Sequence, residues 1–158
     1  MSHHNSILAT TIQLNNTLFR NSLKDISKDE AHRRAIDNFA PMIFIAGHLI
    51  NARYYYAKLA GLVAKRPLQD TFLKFEEGKD YGDPADMLAI WNEIADDVAP
   101  ALAAMSDEEM LTEMEAHFPV SPPTVLNMIT FLIQHEAYHI GQLGALRKAL
   151  GHPGTSYK

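Results

Sequence analysis

Residues 121–153 read SPPTVLNMITFLIQHEAYHIGQLGALRKALGHP, and the fold turns on this stretch. Ser121-Pro122-Pro123 resists helix and so marks an entry, while Gly151 and Pro153 mark an exit. The apolar residues between them recur at three- and four-residue intervals, the spacing of one helix face. The spacing predicts a helix to about Leu150, carrying His135 and His139 one turn apart. At ~100° per residue, positions i and i+4 lie only ~40° apart around the axis. Met128, Phe131, Leu132 and Leu146 lie on or beside the same stripe, so both imidazoles are expected to face into a bundle.

Working back from this helix, Ser106-Asp107-Glu108-Glu109 is a capping box that opens a short helix ending before Pro119. Another helix is expected from about Pro84 to Ala104, with Met87, Ile90, Trp91, Ile94, Val98 and Leu102 inward and Pro100 kinking or shortening its end. Residues 65–84 carry Pro67, Gly78, Gly82 and Pro84 and read as a long connection. Pro41 suits a first helical turn, so a helix is expected from about Ala40 to Gly61. Ser27-Lys28-Asp29-Glu30 is a second capping box, and Ser6 to Leu23 forms the first helix. No segment shows period-two alternation. The expected fold is all-α, a single domain over residues 1–158, arranged as a four-helix bundle with long crossover connections.

Composition excludes several functions. The chain has no cysteine, which removes disulfides, thiolate metal sites and a cysteine nucleophile. Its net charge is −5 and its few cations are dispersed, with Arg33–Arg34 the only cluster, so no nucleic acid is expected as partner. No apolar run approaches the ~20 residues that span a bilayer, and residues 1–21 lack the pattern of a secretion signal. No membrane partner and a cytoplasmic location are therefore expected.

Eight histidines are present, and spacing sorts them. His3 and His4 fall in a frayed terminus; His32, His117 and His152 fall in short helices or connections. His48 remains beside the His135 and His139 pair, on the face that holds Phe44, Ile45, Ala52, Tyr55 and Leu59. Three inward imidazoles without partners would be costly to bury. A shared metal ion satisfies one nitrogen of each ring. His135-Glu136-Ala137-Tyr138-His139 also matches the H-E-x-x-H pattern of zinc proteases. That reading fails, since no acidic residue follows Glu136, the extended motif finds Gln142 and Ala145 where glycine and histidine belong, and strands are missing.

Gly47-His48-Leu49 on an early helix, followed by His135-Glu136-Ala137-Tyr138-His139-Ile140-Gly141-Gln142-Leu143, resembles the DinB-like (YfiT-like) metalloenzyme superfamily. The similarity covers nearly the whole chain, and H-x-x-x-H-x-G-Q with an upstream histidine is specific for the superfamily but not for an activity within it. The resemblance implies a four-helix bundle, a metal triad of His48, His135 and His139, and a homodimer. It implies that Gln142 orients a water or substrate, or satisfies a backbone group, and that Gly141 allows close helix approach. Glu136, ~100° from His135 about the axis, either flanks the site or forms an interfacial salt bridge, the latter being favoured. Gln142 and Glu136 are the candidate catalytic residues. Tyr54 and Tyr56, off the His48 face, are candidates for the dimer interface.

Three imidazoles leave a coordination position open, as in catalytic sites. Zinc and nickel both suit such ligands. Similar families imply thiol-dependent transfer or isomerisation of a small-molecule substrate with a low-molecular-weight thiol. A metal-dependent hydrolase is the alternative, and a non-catalytic, metal-stabilised structural or stress-associated dimer is the third.

Overall fold

The computed structural model describes residues 3–63, 67–68, 70–115 and 118–158. His117 lies outside the described residues. Seven helices are present among them: α1 (His3–Leu23), α2 (Lys28–His32), α3 (Met42–Leu59), α4 (Pro84–Asn92), α5 (Ala95–Ala104), α6 (Asp107–Leu111) and α7 (Val125–Ala149). No strand accompanies them among the described residues, only one isolated antiparallel bridge between Glu113 and Thr124. None of the helices is long and apolar enough to cross a membrane, again among the described residues.

Both capping boxes form as expected, with Ser27 and Ser106 each accepting from the backbone three residues on and Glu30 and Glu109 reaching back. The two helices that bear the histidines end alike. In α7, Gly151 takes φ +92°, Gly151 N–H donates to Lys148 O and His152 N–H to Arg147 O. In α3, Gly61 takes φ +72°, with matching bonds from Gly61 to Lys58 and from Leu62 to Ala57. In both, a glycine adopts the left-handed conformation and the last carbonyls are satisfied.

α1 packs against α5 and α7, while α3 packs against α7 and α4. The four long elements thus form a ring in which α1 and α3 are diagonal, as are α5 and α7. The crossings between them carry the short helices α2, which rests on α3, and α6, which rests on α7. This is the four-helix bundle with long crossovers.

The helix expected over residues 84–104 is two helices. The break falls at Glu93-Ile94, six residues ahead of Pro100, which stands inside α5. A proline ring crowds the carbonyl four residues earlier, here that of Asp96 within α5, so Pro100 does not account for the break. Side chains of α1 bind across the break: Arg20 donates to Asn92 Oδ1 (2.7 Å) and pairs with Asp96, and Asn16 donates to Ala95 O (2.6 Å). Periodicity alone runs through such a break undetected. The first helix also extends further than expected, beginning at His3.

Two further expectations are corrected. Tyr54 and Tyr56 are buried, with Tyr54 Oη donating to Ile90 O and Glu93, and Tyr56 Oη donating to Glu136. They hold the core of this chain and offer no dimer surface, because α3 is covered on nearly all sides. Gly141 does not admit a neighbouring helix: a Cβ there would meet nothing within 4 Å.

Candidate metal centre

α3 and α7 bring His48, His135 and His139 into one half-buried cluster, with one nitrogen of each lying within 4.8 Å of the others. Among the described residues no carboxylate joins this group. His48 Nε2 and His135 Nε2 are 3.0 Å apart. The rings meet edge to face, with centroids 5.1 Å (His48–His135), 5.0 Å (His48–His139) and 4.4 Å (His135–His139) apart.

Two of the rings are held by their other nitrogen. His48 Nδ1–H donates to the backbone carbonyl of Phe72 at 3.1 Å. A carbonyl only accepts, so the proton sits on Nδ1 and the Nε2 lone pair faces the cluster. His139 Nδ1 lies 2.6 Å from Gln142 Oε1, and Gln142 Nε2 donates to Tyr138 Oη. That chain gives Gln142 the accepting oxygen and leaves His139 Nε2 with a lone pair as well. Such outer partners set the tautomer and aim of metal-binding histidines.

The position of Phe72 depends on Gly47. A Cβ at residue 47 would run into the Phe72 ring, so only glycine lets this connection lie against α3. Phe72 is buried and packs with Phe44 and Tyr81 (centroids 6.0 and 5.2 Å), which fixes the carbonyl that holds His48. The Gly-His pair is thus one device, in which the glycine admits the acceptor and the histidine uses it. That role for Phe72 carries no periodic signal in the sequence.

Burial and its two neighbours push His135 down to about 4. His139 is also lowered, first by burial; its bond to Gln142 acts the other way, and His48 adds to the lowering. At neutral pH these rings are uncharged, the form that ligates a metal. The donor set fits a divalent ion. Two imidazole lone pairs facing each other at 3.0 Å repel unless a proton or a cation lies between them. Bonds of about 2.0–2.1 Å to imidazole nitrogen suit zinc, and closely spaced nitrogens can share such an ion. The cluster can therefore hold a metal.

The expectation that the histidines sit on the deepest stripe of α7 is revised. That stripe runs through Ile129, Leu132, Ile133, Glu136, Ile140 and Leu143, while His135 and His139 stand at its margin. Glu136 occupies the centre and is fully buried. Its Oε1 accepts from Arg53 (2.6 Å) and Asn15 (2.9 Å), and its Oε2 from Arg53 (2.9 Å) and Tyr56 (2.8 Å). Glu136 is an interhelical salt bridge and does not join the histidines, since both of its oxygens are occupied. Gln142 does touch the triad, through His139. Arg53, which also donates to Asn16 and lies 4.1 Å over the Trp91 ring, did not stand out in the sequence. Its signal was there: it is the one charged residue between Met42 and Ala57 in an otherwise apolar helix. Away from the cluster, His32 binds Lys28 O and His152 binds Glu30.

A recess of about 410 Å³ adjoins the cluster, lined by His48 and His135 together with Asn51, Tyr55, Phe118 and Phe131. Tyr55 thus shares the His48 side of α3, as its spacing implied. The recess lies directly beside the His48 and His135 rings.

A family model described as the DinB superfamily matches residues 12–143, a span that holds all three histidines and Gln142. Neither the curated proteins nor the solved structures contain a match to the chain. With that match over most of its length, a helical bundle and the triad in place, the chain belongs to the DinB superfamily.

Proposed function

We propose that the protein is a metal-dependent enzyme acting on a small molecule, with zinc or nickel held by His48, His135 and His139. The observation that carries this reading is the convergence of three imidazole nitrogens with two of the rings fixed from behind by Phe72 and Gln142. When bound there, a divalent ion supplies Lewis acidity that lowers the pKa of a thiol or water at its open position. Gln142 holds His139 in the ligating tautomer, and the Phe72 carbonyl does the same for His48. Phe131 stacks 6.0 Å from His135 and forms part of the wall of the recess beside the triad.

A metal-dependent hydrolase is the alternative, since a metal lowers the pKa of bound water as it does that of a thiol. Glu136, the nearest carboxylate along α7, is closed off by four donors and would not serve it as a base. A purely structural metal is disfavoured because the Arg53–Glu136 pair already ties α3 to α7.

The test is metal content per chain on protein purified without a nickel column, compared with His135→Ala. Near-stoichiometric zinc or nickel, lost in the variant, is expected. Consumption of a low-molecular-weight thiol in the presence of an electrophile should then fall away in His139→Ala; equal rates in both proteins would overturn metal-based thiol transfer.

A further inference from the structure

Asn51 stands apart among the buried asparagines. Asn15 and Asn16 are bonded to Glu136, Arg53 and Ala95 O, and Asn5 donates to Met105 O. Asn51 is 7% exposed and both of its polar atoms are covered, yet among the described residues neither Nδ2 nor Oδ1 has a partner. A buried amide carries two donors and an acceptor, and leaving all of them unmet is unfavourable enough that folded proteins rarely tolerate it. It follows His48 by three residues, which puts it on the same side of α3 and about 4.5 Å along the axis. It also lines the recess that adjoins the histidines.

The rest of the recess narrows what can satisfy it. None of the described lining residues is Lys, Arg, Asp or Glu, so with no metal bound nothing there balances a charge on an occupant. An anion or a cation entering the metal-free recess would be desolvated without compensation, whereas a divalent ion on His48 and His135 would attract an anion. The walls are aromatic and form a continuous series. Tyr55 meets Phe118 edge on (5.8 Å), Phe118 stacks on Phe131 (5.1 Å, 23°), and Phe131 stacks on His135 (6.0 Å, 16°). A flat apolar group extends such a series with favourable contact.

We propose that this recess is the binding site for a neutral, aromatic carboxamide, recognised by Asn51 through paired hydrogen bonds, amide to amide. An amide group presents one donor and one acceptor at a single edge, which is what the Asn51 side chain lacks. The terminal torsion of asparagine is soft, so the side chain can turn to meet it. An amide seated one turn from His48 leaves the neighbouring atoms of the molecule beside the triad. As the co-substrate of the metal site this ligand deepens the function proposed above and rests on it for turnover, though not for binding.

Isothermal titration with benzamide, toluene, benzoate and benzylammonium tests this on wild type and Asn51→Leu, each zinc-loaded and after chelation. Benzamide should bind chelated wild type at least tenfold more tightly than benzoate or benzylammonium; charged probes are compared only after chelation, since a carboxylate ligates zinc. Benzamide affinity should drop at least tenfold in Asn51→Leu, with or without zinc, while toluene binds that variant as well as or better than wild type. Asn51→Ala makes the same comparison should leucine not pack. Equal benzamide affinity in wild type and variant, or preference for a charged probe in the chelated protein, overturns the proposal. Zinc is measured in the same samples. Failure to hold zinc with benzamide selectivity intact would sink the metal reading alone, and zinc held by a recess blind to the amide would sink this one alone.

Discussion

α3 and α7 enclose two polar clusters, built from adjacent residues of the same helix. Around Glu136, four donors meet two carboxylate oxygens, and the guanidinium of Arg53 is further held by Asn16 and the Trp91 face. Around His135, three rings turn nitrogens toward one another, and the protein's own hydrogen bonds lie on the outside of the group. The first cluster is complete within the chain. Its burial holds Tyr56 well above its usual pKa; burial opposes the charge on Arg53, and the pairing with Glu136 and Tyr56 outweighs it and raises the guanidinium. The second is half-buried, and its three ring nitrogens converge within 4.8 Å of one another. Neighbouring positions on one helix can therefore serve opposite ends. The carboxylate that resembles a catalytic base in the sequence is structural, and the rings beside it are available to a ligand.

The sharpest way to break this contrast is to unbalance the closed cluster. Glu136→Leu leaves Arg53 buried and unpaired, and should cost about 3–5 kcal/mol in chemical denaturation. Adding Arg53→Met should restore much of the loss, since a well-packed apolar pair can replace a buried ion pair. A loss in Glu136→Leu below about 1 kcal/mol would show that the cluster is not the anchor it is drawn as here.

The open cluster should respond to metal where the closed one does not. Zinc at a hundredfold excess over its Kd should raise wild-type stability by about 2.7 kcal/mol, read as a melting shift, and should leave His135→Ala unmoved. An equal shift in both proteins would place the ion elsewhere. Gln142→Ala removes the acceptor behind His139 and should weaken zinc binding about 10- to 100-fold in a competition titration, with little change in metal-free stability. Unaltered affinity would reduce Gln142 to a surface partner of Tyr138.

The smallest effect is on pH dependence. His135 is lowered to about 4 in the folded chain from an ordinary value of 6.5. The unfolded chain therefore binds the proton first as pH falls, and folding stability drops across the window from 6.5 to about 4. The chelated wild type should lose more stability over that window than His135→Gln. Identical slopes would mean that the ring is better solvated than its position suggests.

Much of this was legible in the sequence because it depends on local chemistry. The capping boxes at Ser27 and Ser106, the glycine exits at Gly61 and Gly151, and the one-turn spacing of His135 and His139 are all written within a few residues. Glu136 as a bridge also followed from its angle about the axis. Its partner did not, because Arg53 lies 83 positions away and no periodicity links the two. The same holds for Phe72, whose role is played by a backbone carbonyl and is silent in side-chain patterns. The depth of the histidines was misjudged for a related reason. Counting apolar neighbours on a helical wheel could not show that an ion pair, and not the rings, takes the central position.

The separation of the ligands has a consequence for how the protein folds. His135 and His139 are joined by a single helical turn, whereas His48 lies 87 positions from His135. A two-histidine half-site exists as soon as α7 winds, before any tertiary structure, and the third ligand arrives only when the bundle closes. Closing so long a loop is the slow, entropically costly part of such a topology. Refolding in the presence of an ion should thus show early weak capture by α7 and late tight capture on docking of α3, so the metal would time the final assembly of the bundle.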